Sequence, residues 1–301
     1  MTGEVISGTS MGAQASSSVQ AGGLTWAYRT ADVAAAAATP DKLPVLCLHG
    51  LGSCSYAYRN TIRLLGDAGH ATFAPDWPGH GESSKPAPGA FDYSADAYVA
   101  ALEAFTAAVG LKGKPYALVV HGFVLGQYGL LFALQNEADI RKLVVLPTPL
   151  GLKSKLRPEL AAYKAPLAFM RPKPDAAFDA MTYNAAGSPY AMAYKDAECY
   201  AAPYAAGPAA AAALHATMDR LDFPALLRRV DEEFESWRVP SLVVVGTADP
   251  FADLPAALGW LETKRTTMKM ATGLEAKLGH CPQEDYAEAV HPAMLRFFES
   301  E

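Results

Sequence analysis

The chain has 301 residues, 51% of them apolar, with a formal net charge of −6. A sequence of that length buries a substantial core, as one large domain or a domain with an insertion, and the absence of a basic block excludes nucleic acid and an anionic membrane surface as main partners. Cys47, Cys54, Cys199 and Cys281 form neither a zinc pattern nor a disulfide framework, so no metal is expected and a reducing compartment is the default.

Residues 1–23 are Ser-, Gly- and Ala-rich without periodicity and read as a disordered leader. The first basic residue is Arg29, which gives no n-region for a signal peptide and no Arg-rich transit peptide. Leu24–Arg29 reads as a first strand. Pro44–His49 is a continuous apolar run, as in a strand buried on both faces. Tyr56–Ala68 has helical spacing, and Ala71–Ala74 is a short strand before the turn-rich Asp76–Gly81. Along Ala95–Val109, residues Tyr98, Leu102, Phe105 and Val109 share one helical face. Leu118–Val120 is a strand, followed by a Gly-bearing turn and a helix. The uncharged stretch 116–134 is too interrupted by glycines, His121 and Gln127 to span a membrane. Lys142–Leu146 is a further strand.

The pattern changes after Pro149. Residues 151–239 are Ala-, Pro- and Tyr-rich with short helical pieces, two of them near Met218–Arg229 and Asp231–Trp237. They read as a helical cap inserted between two parts of a core, 24–150 and 240–301. Strand signals return at Ser241–Gly246 and Thr266–Met270, with helices from Pro255 to Lys264 and from Asp285 to the end. Strands alternating with helices imply an α/β fold with a mostly parallel, doubly wound sheet, in which ligands bind beyond the carboxyl ends of the strands.

Five strand ends then bring five loops to one rim: His49-Gly50-Leu51, Asp76-Trp77, His121-Gly122-Phe123, Asp249-Pro250 and Gly279-His280. The strand–turn–helix at Ala117–Leu130 has the form of a nucleophile elbow, which lifts a Ser, Cys or Asp above the sheet edge. Here the turn from His121 to Gly126 contains no Ser, Thr, Cys or Asp. An acid and then a histidine follow in the chain order a hydrolase triad requires.

On these residues the chain resembles an α/β-hydrolase of the haloalkane dehalogenase and epoxide hydrolase branch. The resemblance is carried by HGLGSCSYAYRN (His49–Asn60), APDWPGHGESSKP (Ala74–Pro86), VVGTADPF (Val244–Phe251) and LGHCPQEDYAEAV (Leu278–Val290). It is nearest to a plant and algal, largely plastid, set with a QGF-type elbow and a GSPY cap segment, here His121–Phe123 and Gly187–Tyr190. The resemblance implies His280 as catalytic base, Asp249 as its orienting acid, and the backbone N–H groups of Leu51 and Phe123 as an oxyanion or halide hole. It also implies a plastid location. The nucleophile position falls on Gly122 when VVHGF is set on the branch's VVQDW, the preferred register, or on Val124 when Gly122–Gly126 is read as G-x-S-x-G. Phe123 and Leu51 replace the halide-gripping Trp and Asn, so dehalogenation is not expected.

Around that pair, His49, Gly50, Trp77, His121 and Tyr190 are candidate ligand-binding residues, with further cap tyrosines at 163, 183, 194, 200 and 204. His49 and His121 also have a plain structural reading, as loop- and elbow-bracing side chains. No cofactor is expected. Three functional readings follow. The first is a pseudo-hydrolase that binds a small apolar molecule between cap and core, or a protein partner. The second uses Asp249–His280 as a general base without a covalent intermediate. The third is an ordinary ester or epoxide hydrolase with a displaced nucleophile, such as Ser53, Cys54 or Cys281.

Overall fold

Eight strands form one sheet in the order β1-β2-β4-β3-β5-β6-β7-β8. In the computed structural model, which describes residues 16–31, 41–173, 184–264, 268–271 and 278–300, these are β1 Ser16–Ala21, β2 Leu24–Thr30, β3 Val45–Leu48, β4 Thr72–Pro75, β5 Tyr116–Val120, β6 Ile140–Val145, β7 Ser241–Val244 and β8 Met268–Ala271. β1 with β2 and β2 with β4 pair antiparallel, and every other neighbour pairs parallel. The sheet is the mostly parallel one expected from the strand–helix alternation, in the α/β-hydrolase order that the resemblance implies.

Alternation along the central strands fills two apolar layers. Leu46, Leu48, Leu118, Val120, Leu143 and Val145 face one layer; Val45, Cys47, Ala117, Val119 and Val144 face the other. All residues of β3, β5 and β7 are buried, which is why these strands read as unbroken apolar runs. Helices α1 (Arg59–Asp67), α2 (Ala95–Ala108), α3 (Leu125–Gln135), α8 (Leu254–Lys264), α9 (Pro282–Asp285) and α10 (Ala287–Glu299) belong to the core.

Two sequence expectations need correction. The end of the expected leader is a strand: Ser16–Ala21 pairs antiparallel with β2 from Ser16–Arg29 to Ala21–Leu24. Its side chains alternate between exposed and half-buried, because an edge strand is held by main-chain bonds and needs little apolar content. Residues 1–15 lie outside the described part. In the cap the two late helices are α6 (Pro208–Arg220) and α7 (Phe223–Glu233), so the break falls earlier than the expected pieces. Asp222 makes it, its carboxylate accepting from Ala225 N at 3.0 Å, an N-cap with Pro224 in the first turn.

Those helices, with α4 (Pro158–Ala162) and α5 (Tyr194–Ala205), lie between β6 and β7 in the chain. A polar network joins α5 to the core. Arg59 bonds Glu284 and lies 3.5 Å from Asp196. Tyr56 donates to Asp196 at 2.7 Å, and Tyr200 donates to Glu284. No described helix is long and apolar enough to cross a membrane.

Candidate functional site

The elbow is set by main-chain geometry. β5 ends at Val120, and α3 starts at Leu125 with Val124 in the N-cap position. Gly122 has φ 85°, as expected for a glycine in this turn, but Val124 has φ 61° and ψ −70°. A β-branched residue with positive φ is a genuine outlier, and these angles are those of a strained γ-turn. Gly122, by contrast, has no room for a side chain: a Cβ there would lie 2.9 Å from Gly50 Cα. The nucleophile of an elbow is the strained residue of the strand-to-helix turn, flanked by small residues. Val124 has that backbone position, with Gly122 and Gly126 as the flanks. Both registers read from the sequence, Gly122 as preferred and Val124 as the alternative, thus fall on residues with positive φ, and neither side chain is a nucleophile.

The expected oxyanion donors are also arranged differently. Leu51 N donates to Phe123 O at 3.0 Å, and Leu125 N donates to the same oxygen at 2.7 Å. Leu51 N–H is therefore directed at a carbonyl of the chain itself. Around Val124 the second donor would be Leu125 rather than Phe123, since the donor follows the nucleophile position.

Asp249 and His280 meet. His280 Nδ1 lies 2.9 Å from Asp249 Oδ2, with side chains 1% and 3% exposed. The His280 ring packs against His121, Phe123 and Phe251, with centroids 5.1, 5.7 and 5.2 Å away. Cap backbone holds the same loop: His280 N donates to Ala186 O at 2.8 Å.

The remaining candidates divide. His121 sits at the rim of the pair, but its Nε2 lies 2.8 Å from the His280 carbonyl and so donates to it. Burial, then the neighbouring His280, push the His121 pKa down to about 3. His49 is committed on both nitrogens, with Nδ1 donating to Gly50 O at 2.8 Å and Nε2 accepting from Trp77 N at 3.2 Å. Burial pushes its pKa down to about 4. The Trp77 indole N–H donates to His49 O at 3.0 Å, so Trp77 braces the loop and has no donor left for a ligand. Gly50 packs on Gly122.

Tyr190 is not at the site: it is 53% exposed and donates to Glu288 at 2.9 Å, because its segment runs out over α10. Among the other cap tyrosines, Tyr194 is exposed and Tyr163 and Tyr200 are buried, and Tyr183 lies outside the described residues. Cys54 and Cys281 are buried, and burial raises the Cys54 thiol well above its ordinary range, opposite to what a thiol nucleophile needs. Ser53 is also buried, at 4% exposure.

A cavity of about 30 Å³ remains beside the pair, lined by Phe123, Thr148, Asp249, Phe251 and His280 among others. Such a space holds a water or two, far less than the 300 Å³ or more of a usual ligand pocket. Leu51, Phe123 and Trp77 are themselves buried to 1% or less. Three contributors were not found from the sequence. Phe251 is in the acid motif, where the sequence assigns it no role; Arg157 lies 3.6 Å above its ring; and Ala186 reaches in from the cap. Phe251 was legible as part of the acid loop, whereas nothing marked Arg157.

Known proteins share this fold. A curated decarboxylase of cis-3-alkyl-4-alkyloxetan-2-one from Shewanella oneidensis is 35% identical over 105 residues, 35% of this chain and 32% of that enzyme. The chain thus aligns with about a third of that relative's length. A haloalkane dehalogenase from Mycolicibacterium paratuberculosis is 29% identical over 223 residues, 71% of each chain. Among solved structures, the haloalkane dehalogenase DbeA from Bradyrhizobium elkani superposes with a TM-score of 0.73 at 20% identity, covering 94% of this chain and 97% of its own. The model of the alpha/beta hydrolase family matches residues 45–293, and with an eight-stranded sheet and an Asp249–His280 pair at its rim the chain belongs to that family.

Proposed function

We propose that this chain is a hydrolase-fold protein that acts by binding, without covalent catalysis. One observation carries the reading: neither Gly122 nor Val124, the two elbow positions with positive φ, has a nucleophilic side chain, and Phe123 O takes the N–H groups of Leu51 and Leu125. An acyl or alkyl intermediate therefore has neither a nucleophile to form on nor open donors to stabilise it. The space at Asp249–His280 as seen is about 30 Å³, room for a water or two, and this reading puts the binding partner at the cap surface. Leu167, Phe169 and Met170 are 51, 84 and 57% exposed there, and protein-binding surfaces carry such side chains. The plastid location implied by the QGF-type elbow belongs to the same reading.

The test is a panel of short esters, epoxides, haloalkanes and β-lactones, with a fluorophosphonate probe alongside. No covalent adduct and no turnover above a His280→Ala control is the expected result. An adduct on any residue of the elbow would overturn the reading.

A second reading rests on the retained pair. Asp249 and His280 line the water-sized cavity at hydrogen-bonding distance, the arrangement of an oriented general base. β-Lactones belong in the panel because the Shewanella relative is named for a decarboxylation of that class. Turnover lost in both His280→Ala and Asp249→Asn, with no adduct, would favour this reading over the first.

A further inference from the structure

Two main-chain donors and one main-chain acceptor meet at the elbow. In hydrolases of this fold the oxyanion hole takes one N–H from the loop after the third strand and one from the residue after the nucleophile. Around Val124 these are Leu51 and Leu125, and both donate to Phe123 O, at 3.0 and 2.7 Å. The hole is built, and the carbonyl of the preceding residue fills it.

Keeping the carbonyl there forces Val124 to φ 61°. Two ordinary hydrogen bonds favour this position and one strained β-branched residue opposes it, and these terms are of similar size. A half-turn of the Phe123–Val124 peptide would carry Val124 φ to about −120° with ψ left at −70°, out of the positive-φ region that a β-branched residue avoids. The same turn would swing Val124 N–H to where the carbonyl had been. The turned carbonyl would need a donor. Thr148 Oγ1 is buried without a hydrogen-bond partner, and Thr148 and Phe123 line the same cavity.

We propose that the Phe123–Val124 peptide is a plug with two positions. In the position seen, it closes the oxyanion hole. In the other, the N–H groups of Leu51, Val124 and Leu125 converge on the vacated place and accept a carbonyl oxygen from outside. The proposal rests on Val124 as the elbow residue but concerns conformation. Its test therefore reads no activity, and its failure leaves the non-covalent reading standing.

The experiment is amide hydrogen exchange by NMR on the full chain, comparing wild type, Val124→Gly and Val124→Pro. Amides of Leu118 and Val119 in β5 report global opening. In wild type, Leu51 and Leu125 should exchange faster than these references. Glycine removes the cost of positive φ, so Val124→Gly should slow both elbow amides by about ten-fold against the references. Proline cannot adopt positive φ, so Val124→Pro should speed the Leu51 amide. Should that variant fail to fold, the glycine variant decides alone. Elbow amides that exchange in step with β5 in wild type, or that are unchanged in Val124→Gly, would overturn the proposal.

Discussion

Gly50 and Gly122 are in backbone contact: a Cβ on Gly122 would lie 2.9 Å from Gly50 Cα, and a Cβ on Gly50 2.8 Å from Gly122 Cα. The loop after β3 and the elbow therefore approach more closely than any side chain allows. Gly122 also has φ 85°. Gly122→Ala adds both a clash and a strained backbone, and should destabilise the fold by about 2–4 kcal/mol in chemical denaturation. A change within about 0.5 kcal/mol, the scatter of surface substitutions, would mean that the contact is slack. Gly122→Ser, for the same reason, should lose stability without gaining esterase activity.

The sequence carried the core strands because burial on both faces leaves no ambiguity, as in β3 and β5. It hid β1, whose Ser-rich stretch is held by ladder bonds to β2, and composition does not report such bonds. The helix break at Asp222 was legible in principle, since Asp-Phe-Pro is a start signal. The meeting of Asp249 with His280 was legible through chain order. The positive φ of Val124 was not, because nothing in a β-branched residue announces it. Nor was the filled oxyanion hole, because the group in it is a main-chain carbonyl, which every residue has.

Burial depresses six histidines: His49 and His291 are pushed down to about 4, His80 and His121 to about 3, and His70 and His215 also downward. Unfolded, each titrates near about 6.5. Between these values the unfolded chain binds more protons, so stability rises with pH across the window. The contribution is fully present above about 6.5 and is lost as pH falls toward 4 and then 3. Asp76, whose carboxyl is pushed up by burial, works in the opposite sense. Near pH 5 unfolding should take up about two to four protons, read from the slope of denaturation free energy against pH. A flat slope between pH 5 and 6 would show that these rings are hydrated in the native state.

Arg59 pairs with Glu284 within the core and reaches the cap at Asp196, with its guanidinium 4.2 Å above the Tyr56 ring. Removing one member of a buried pair leaves the other without compensation. Arg59→Ala should cost about 3 kcal/mol and make α5 sensitive to proteolysis before the core unfolds. Arg59→Met with Glu284→Leu should cost clearly less than Arg59→Ala, because neither charge then remains. Equal losses in the two variants would show that packing, and not charge, holds the cap.

A strap from the cap closes over the pair at Gly187. Its φ is 74°, and a Cβ there would lie 2.1 Å from Ala248 O, beside Asp249. One residue earlier, Ala186 O accepts from His280 N at 2.8 Å, and a Cβ on Gly279 would lie 2.5 Å from that oxygen. The strap thus touches the acid loop and the histidine loop at once through main chain alone. A side chain at 187 must push the strap off Ala248, and moving the strap draws Ala186 O away from His280 N. Gly187→Ala should therefore cost about 1–3 kcal/mol and, more tellingly, expose His280. Modification by diethyl pyrocarbonate, followed by peptide mapping well below the melting temperature, separates this from general loosening. His280 should react faster in Gly187→Ala than in wild type, while His49, committed on both ring nitrogens, stays unreactive in both. Equal rates at His280 would show that the strap does not control access to the pair, and parallel increases at His280 and His49 would reduce the effect to loss of stability.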